Sequence, residues 1–286
     1  NVILNRVVPT SEIRSREFAL LGLGVGYEIS DKIELYGNIS QNFRSVTFAD
    51  ISIINPAYII NPNISDEKGF TSDLGIRGKN LKLVKFDGNL FRLSYSDRIG
   101  FIQKKSSDGS VKTERGNVGD AIIYGFESLV DLNLKDIFII NNKNVLFNLF
   151  VNLSIIDSKY IRSQTPGVVG KKVEFVPKSN LKTGLRIGYK NFSFNTQYSY
   201  LSDQFSDSSN AIEGNLSGVV GIIPSYEIVD VSTSFIKGIF RFELGINNLL
   251  NEFYFTRRAT GYPGPGIITS PNRNFYFTTQ IKFWKE

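Results

Sequence analysis

A pair of adjacent arginines in the last long loop has the clearest chemical potential in this sequence. Arg257 and Arg258 stand between Tyr254 and Tyr262. A guanidinium group is planar and binds a carboxylate through two parallel hydrogen bonds, and tyrosine rings can form the walls of a pocket. The segment 249–271 is therefore a candidate binding site for an anionic ligand. The same residues would also suit a structural role, in which the arginines pin the loop or face water.

Three further polar residues are weaker candidates for ligand binding. Gln204, Arg162 and Arg44 lie in or beside segments that we predict to be long loops. Basic residues in such loops attract an anionic ligand, contact anionic lipid headgroups, or simply keep the loops solvated. Asp203 and Asp207 invite a calcium interpretation, but they supply too few oxygen ligands. We therefore predict no metal site.

The absence of whole residue types excludes several classes of function. The 286 residues include no His and no Cys. A Ser-His-Asp triad, a Cys-His pair and a zinc site containing His are therefore impossible within this sequence. The net charge of +6 comes without a basic helix or a nucleic-acid-binding motif. We predict a protein that is not an enzyme, uses no cofactor and binds no nucleic acid.

Strands are the predicted secondary structure on both sides of these candidate residues. Side chains along a strand alternate between its two faces, and most of the chain alternates between apolar and polar residues. In the last strand, Phe275 and Phe277 share a face that is opposite to Tyr276 and Thr278. About eleven strands are predicted, at approximately 18–29, 33–43, 68–78, 83–102, 120–134, 144–160, 173–189, 192–203, 225–236, 239–248 and 272–284.

The connections between these strands alternate between short and long. The predicted long loops cover roughly 44–67, 103–119, 161–172, 204–224 and 249–271. This rhythm is typical of outer-membrane β-barrels, which have short turns at one end and long loops at the other. Charges such as Lys182, Arg186 and Glu243 fall on the polar face, where a wet lumen would tolerate them but a dry core would not. We predict an all-β, antiparallel transmembrane β-barrel.

An odd number of strands cannot close with every neighbour antiparallel, so the pattern favours part of a larger barrel. Six segments of the chain occur in the order that a known family shows: Phe18–Ile51, Asn61–Gly78, Gly125–Glu127, Val176–Pro177, Gly221–Ser232 and Asn247–Arg258. Through these segments the chain resembles the TonB-dependent outer-membrane receptors, and more narrowly their ferric-citrate-receptor-like branch. Two departures are Asp73, where a Glu is more usual, and Lys285 and Glu286, which follow the aromatic end.

The resemblance implies a 22-stranded barrel of which residues 1–286 would form the C-terminal half. The plug domain, the TonB box and the first strands would lie outside this sequence. It also implies a bacterial outer-membrane receptor that imports ferric citrate or another ferric siderophore. Its expected partners are the TonB-ExbB-ExbD system and the lipopolysaccharide of the membrane. The alternatives are a β-rich surface adhesin that transports nothing, or a passive porin-type barrel.

Overall fold

The computed structural model describes residues 18–52, 58–79, 81–105, 109, 111–216, 218–259 and 266–283. Strands dominate, because β-branched and aromatic residues alternate with polar ones along the chain. None of the helices in these residues is long and apolar enough to cross a membrane. The elements are β1 (Gly22–Ser30), β2 (Ile33–Arg44), α1 (Phe48–Ile51), β3 (Tyr58–Ile60), β4 (Glu67–Gly78), β5 (Val84–Lys105), β6 (Val111–Asn133), α2 (Leu134–Ile137), β7 (Val145–Arg162), β8 (Ser179–Tyr189), β9 (Phe192–Leu201), β10 (Gln204–Phe205), β11 (Ile222–Ile223), β12 (Tyr226–Lys237), β13 (Phe240–Asn247), β14 (Phe255–Ala259), β15 (Gly266–Thr269) and β16 (Asn274–Ile281).

Eleven of these strands form one continuous antiparallel wall, as the sequence predicts. Its order is β1-β2-β4-β5-β6-β7-β8-β9-β12-β13-β16. The short β3 joins the wall by pairing in parallel with β6. Within the described residues, β1 and β16 each pair with a single neighbour in this wall. The wall is therefore an open sheet with two free edges.

The strand register gives the wall one polar and one apolar face. Between β13 and β16, Glu243 pairs with Thr278 on the polar face, whereas Leu244 pairs with Phe277 on the apolar face. The same separation holds along β8 and β9, where Arg186 pairs with Asn195. The predicted alternation of the faces is thus confirmed. We call the polar face the inner face and the apolar face the outer face.

Aromatic rings on the inner face lie flat against glycines of the neighbouring strand. A Cβ atom added at Gly75 would overlap the ring of Tyr36, and one added at Gly245 would overlap the ring of Tyr276. The glycines therefore leave space for the rings, which is a packing reason for their presence in strands. Four inner-face pairs share this arrangement: Tyr36 with Gly75, Phe91 with Gly125, Phe150 with Gly184, and Tyr276 with Gly245.

The predicted loop at 103–119 is wrong, because β5 and β6 continue as a paired hairpin through most of it. The hairpin runs to Lys105 and resumes at Val111. Its polar residues suggested a loop, yet Lys104 binds the buried carboxylate of Glu114 at 2.8 Å. A second difference is that β8 begins at Ser179, not near residue 173. The short elements α1, α2, β3, β10, β11, β14 and β15 were not predicted.

Candidate functional site

The long connections pack together at the end of the wall opposite the short turns. We call this region the loop layer and define it as the described parts of 45–66, 97–119, 163–178, 202–225 and 248–273. Its segments are joined by backbone and side-chain hydrogen bonds. Ser208 Oγ donates to the carbonyl oxygen of Phe101 at 2.7 Å, and the Phe175 amide donates to the carbonyl oxygen of Phe205 at 2.8 Å. These bonds join segments that are distant in sequence into one layer.

Arg44, a predicted ligand residue, is bound to a buried carboxylate in this layer. Its Nη2 lies 2.8 Å from Oδ1 of Asp50, and Arg115 Nη2 lies 2.6 Å from the same oxygen. Thr47 donates its amide and its hydroxyl to Oδ2. Burial alone would raise the pKa of Asp50, but hydrogen bonds from Thr47, Arg115 and Arg44 hold this pKa well below its usual range. Asp50 therefore stays ionised and fixes α1 against β2 and β6.

The adjacent arginines of the last loop point in different directions. Both lie on β14, where consecutive side chains alternate. Arg258 donates to the carbonyl oxygen of Gly218 at 2.7 Å and to that of Ile222 at 2.8 Å. Its donors therefore hold β11 and the segment before it. Arg257 is exposed, so its guanidinium group is available to a ligand. The two guanidinium groups, which the sequence predicted to act together, therefore lie in different surroundings.

The other predicted residues occupy separate places. Arg162, at the end of β7, contacts Asp120 at 2.8 Å while 74% of its side chain stays exposed. Gln204 is buried on β10 and pairs with Ile223 of β11, the same short ladder that Arg258 holds. The Tyr254 ring lies 4.5 Å from the ring of Tyr226. Tyr262 lies outside the described residues. The structure therefore brings Gln204 and Arg258 together, but not the whole predicted set.

A buried polar network under the loop layer was missed by the sequence analysis. Tyr160 is fully buried and donates its hydroxyl to Glu174 at 2.6 Å. Glu67 is also buried and accepts the Ile99 amide at 2.9 Å. Attraction to the two carboxylates outweighs burial and raises the pKa of Arg98. These residues come from four distant segments, so their spacing in the sequence carries no signal.

Replacing Tyr160 with Phe is expected to loosen the loop layer. The change removes the hydroxyl donor to Glu174 and leaves a buried carboxylate short of a hydrogen bond, which costs about 1–3 kcal/mol. Urea unfolding of the full-length protein in detergent would measure the loss. The control is Tyr27→Phe, because Tyr27 is exposed on β1. Equal stability of the two variants would contradict a stabilising role for the network.

No metal centre is evident in the part of the chain that the structure describes. No group of three or more His, Cys, Asp or Glu residues there is arranged to hold a metal ion. Asp207 is buried and accepts hydrogen bonds from Ser209 and from the amide of Ala211. Its carboxylate therefore shapes the segment that follows β10.

Comparisons with known proteins agree with this architecture. The family model described as TonB dependent receptor-like, beta-barrel matches residues 7–249. A solved structure of the ferric citrate transporter FecA in the unliganded form aligns with a TM-score of 0.73 and 22% identity, covering 92% of this chain and 38% of FecA. The ferric yersiniabactin uptake receptor FyuA from Yersinia pestis aligns with a TM-score of 0.67 and 17% identity, covering 92% and 37%.

The copper transporter OprC also aligns, with a TM-score of 0.69, 15% identity and coverage of 92% of this chain and 39% of OprC. At these identities the structures support the fold alone. This chain spans less than half the length of each of these three structures. The family match covers most of the chain, and the family is one of transport receptors of the bacterial outer membrane. The chain therefore belongs to the TonB-dependent receptor-like β-barrel family.

Proposed function

We propose that this chain is the C-terminal half of a 22-stranded outer-membrane barrel that imports a ferric chelate. The observation that carries the proposal is a two-faced wall of the receptor family whose loop layer presents an exposed arginine on an anchored strand. Arg258 fixes β14 to the carbonyl oxygens of Gly218 and Ile222, and Arg257 on the same strand stays exposed. Because the backbone of β14 is already fixed, binding of a carboxylate by Arg257 requires ordering of the side chain but not of the strand.

The residue types of the chain favour an anionic chelate as the cargo. The similar structures include transporters of ferric chelates and one copper transporter. Copper in its reduced form prefers the sulfur of Cys and Met, and imidazole suits copper in general. The 286 residues contain no Cys, Met or His. This part of the protein therefore offers no soft ligand for a bare copper ion, whereas its exposed arginines suit carboxylates such as those of ferric citrate.

The energy for import would come from the TonB-ExbB-ExbD system. In this proposal, the segments that contact TonB belong to the part of the protein outside this sequence. The inner face would then surround a plug, and its charges Lys182, Arg186, Arg241 and Glu243 would contact that plug. A passive barrel would need no such coupling, so dependence on TonB separates import from passive diffusion.

Replacing Arg257 with Gln in the full-length protein is expected to weaken binding of ferric citrate or a related chelate. A charge-assisted hydrogen bond contributes about 1.5–3 kcal/mol, so the Kd should rise about 10- to 150-fold. Titration of detergent-solubilised protein with a small panel of ferric chelates would measure this. The thermal midpoint should not change, because the Arg257 side chain is exposed.

Two comparison variants sharpen the test. Lys32→Gln removes an exposed charge from the opposite end of the wall and should leave the affinity unchanged. Arg258→Gln should lower both affinity and thermal midpoint, since it releases two carbonyl oxygens. Wild-type affinity in the Arg257 variant would contradict its assigned role. A full-length protein that binds no chelate and conducts ions in its absence would instead support the porin alternative.

A further inference from the structure

The net positive charge of the chain is concentrated at one end of the wall. We define the lysine rim as the short connections 30–32, 79–83, 134–144, 190–191 and 237–239, together with Lys282, which follows β16. The rim contains eight lysines, two aspartates and no other charged residue. Since the chain has 33 Lys or Arg and 27 Asp or Glu residues, the residues outside the rim include 25 of each sign. The net charge of +6 therefore belongs to the rim, and the rest of the chain is neutral as a set.

The lysines of the rim are open to a partner. Seven of the eight are exposed, and Lys135 is half-buried. Within the described residues, Lys79 is the one rim lysine that forms an ion pair, and its partner is Glu34. The Nζ atom of Lys190 lies 5.2 Å from the centre of the Tyr189 ring, which attracts the ammonium group but does not neutralise it. The rim therefore presents a positive charge that the described part of the wall leaves uncompensated.

The register places these lysines in a regular row along the end of the wall. Lys32 and Lys190 lie in two-residue turns, just beyond the ladder pairs Ser30–Ile33 and Tyr189–Phe192. Successive short turns are two strands apart in the wall. Neighbouring strands are about 4.8 Å apart, so the turns recur roughly every 10 Å. Residues at the tips of turns project beyond the ends of the strands, whereas a lipid would lie beside the outer face. The row therefore faces a partner beyond the short-turn end.

The residue type of the rim limits the chemistry of that partner. The rim contains lysine but no arginine. Lysine carries a compact, hydrated charge on a flexible stem, whereas arginine recognises a single anion through a planar fork. A row of separate, flexible charges suits an extended anion whose charges repeat, and not one compact ligand. A polymer that bears carboxylate groups has this character.

We propose that the lysine rim binds the carboxylate groups of peptidoglycan, the cross-linked polymer on the periplasmic side of the outer membrane. The proposal rests on the proposed function, since it requires an outer-membrane barrel whose short turns face the periplasm. The stem peptides of this polymer carry carboxylates, and successive turns of the rim would contact successive stem peptides. Each contact is an exposed ion pair and is weak by itself. The affinity would therefore arise from the number of contacts.

Cosedimentation of the full-length protein with purified peptidoglycan tests this surface. The protein, in non-ionic detergent and without any ferric chelate, would be mixed with peptidoglycan or with peptidoglycan whose carboxylates have been amidated. Wild type should bind the unmodified polymer at least about fivefold more tightly. The variant Lys32→Gln/Lys82→Gln/Lys143→Gln/Lys190→Gln should lose most of this preference, because it removes four exposed charges from four turns. Raising the sodium chloride concentration from about 0.05 M to about 0.5 M should weaken wild-type binding.

The matched control removes the same number of exposed lysines from the loop end of the wall: Lys68→Gln/Lys105→Gln/Lys159→Gln/Lys171→Gln. This variant should bind peptidoglycan as wild type does. Equal binding of the amidated polymer, unchanged binding in the rim variant, or an equal loss in both quadruple variants would each overturn the proposal.

Two further measurements separate this surface from lipid binding and from import. If the rim variant binds peptidoglycan normally but retains less phosphatidylglycerol in native mass spectrometry, the rim serves lipid and the proposal is wrong. The rim variant should bind the ferric chelate with the wild-type Kd. Failure of chelate binding in every sample would count only against import.

Discussion

Replacing Asp50 with Ala is expected to release the segment around α1 and to lower the free energy of unfolding by about 3–5 kcal/mol. The carboxylate is only 2% exposed and binds Arg44, Arg115 and Thr47. Its removal leaves the guanidinium group of Arg115, which is only 15% exposed, without its anion, and Arg44 keeps only its 3.7 Å contact with Glu67. Urea unfolding and limited proteolysis of the full-length protein would measure the effect. Cleavage should concentrate in residues 45–66.

The Asp50 prediction also has a pH dependence with a definite sign. The pKa of this carboxyl group is lower in the folded protein than in the unfolded chain, where it is about 3.9. Its stabilising contribution is therefore complete above about pH 5 and is lost as the pH falls through the lower folded value. The stability difference between wild type and Asp50→Asn should stay constant from pH 5 to 8 and shrink below pH 4.

The control for Asp50 is Asp31→Ala, because Asp31 is exposed in the short turn between β1 and β2. This variant should unfold at the wild-type urea concentration. A difference that grows as the pH falls would contradict the assignment, as would proteolysis of the Asp50 variant at the wild-type rate.

Replacing Gly119 with Ala is expected to separate the segment of β6 around Gly119 from the end of β7. Gly119 has a φ of +150°, and an added Cβ would overlap the carbonyl oxygen of Arg162. Both the conformation and the close approach therefore require glycine. The change should expose Val118, which is only 1% accessible, and weaken the contact between Arg162 and Asp120. The expected cost is about 2–4 kcal/mol, measured by urea unfolding of the full-length protein.

A second glycine provides the control for Gly119. An added Cβ at Gly88 would lie 3.7 Å from Phe126 Cε2, which is an ordinary contact. Gly88→Ala on β5 should therefore leave the unfolding midpoint near that of wild type. If the two variants are equally stable, the close approach of β6 to β7 is relaxed easily and the prediction is wrong.

The strands of the wall could be predicted because one face of each strand is apolar and the other is polar. An apolar face and a polar face impose a period of two that survives in the sequence, as in the pairs Leu244–Phe277 and Glu243–Thr278. The hairpin formed by the end of β5 and the start of β6, up to Gly119, could not be predicted in this way. It is covered on both sides by other segments, so buried residues such as Thr113 and Glu114 follow tertiary contacts and not an alternation.

The roles of the candidate residues were only partly visible in the sequence. Arg257 and Arg258 have the same residue type and the same loop, yet one is exposed and the other holds carbonyl oxygens. Nothing local distinguishes them, because the partners of Arg258 lie about 36 to 40 residues away in sequence. The role of Arg44 was likewise not visible, since the carboxylates of Asp50 and Glu67 define its contacts. Whether Arg257, Tyr254 and Arg162 bind a ligand stays a prediction.

The flat aromatic rings of the inner face have a consequence for the height of that face above the backbone. Tyr36, Phe91, Phe150 and Tyr276 each lie over a glycine of the neighbouring strand. A ring that lies flat projects less from the wall than one that stands upright. Adding a methyl group at Gly184 or Gly245 would lift the ring away from the wall without adding any large side chain. In this wall the smallest residues therefore set how far the inner face projects.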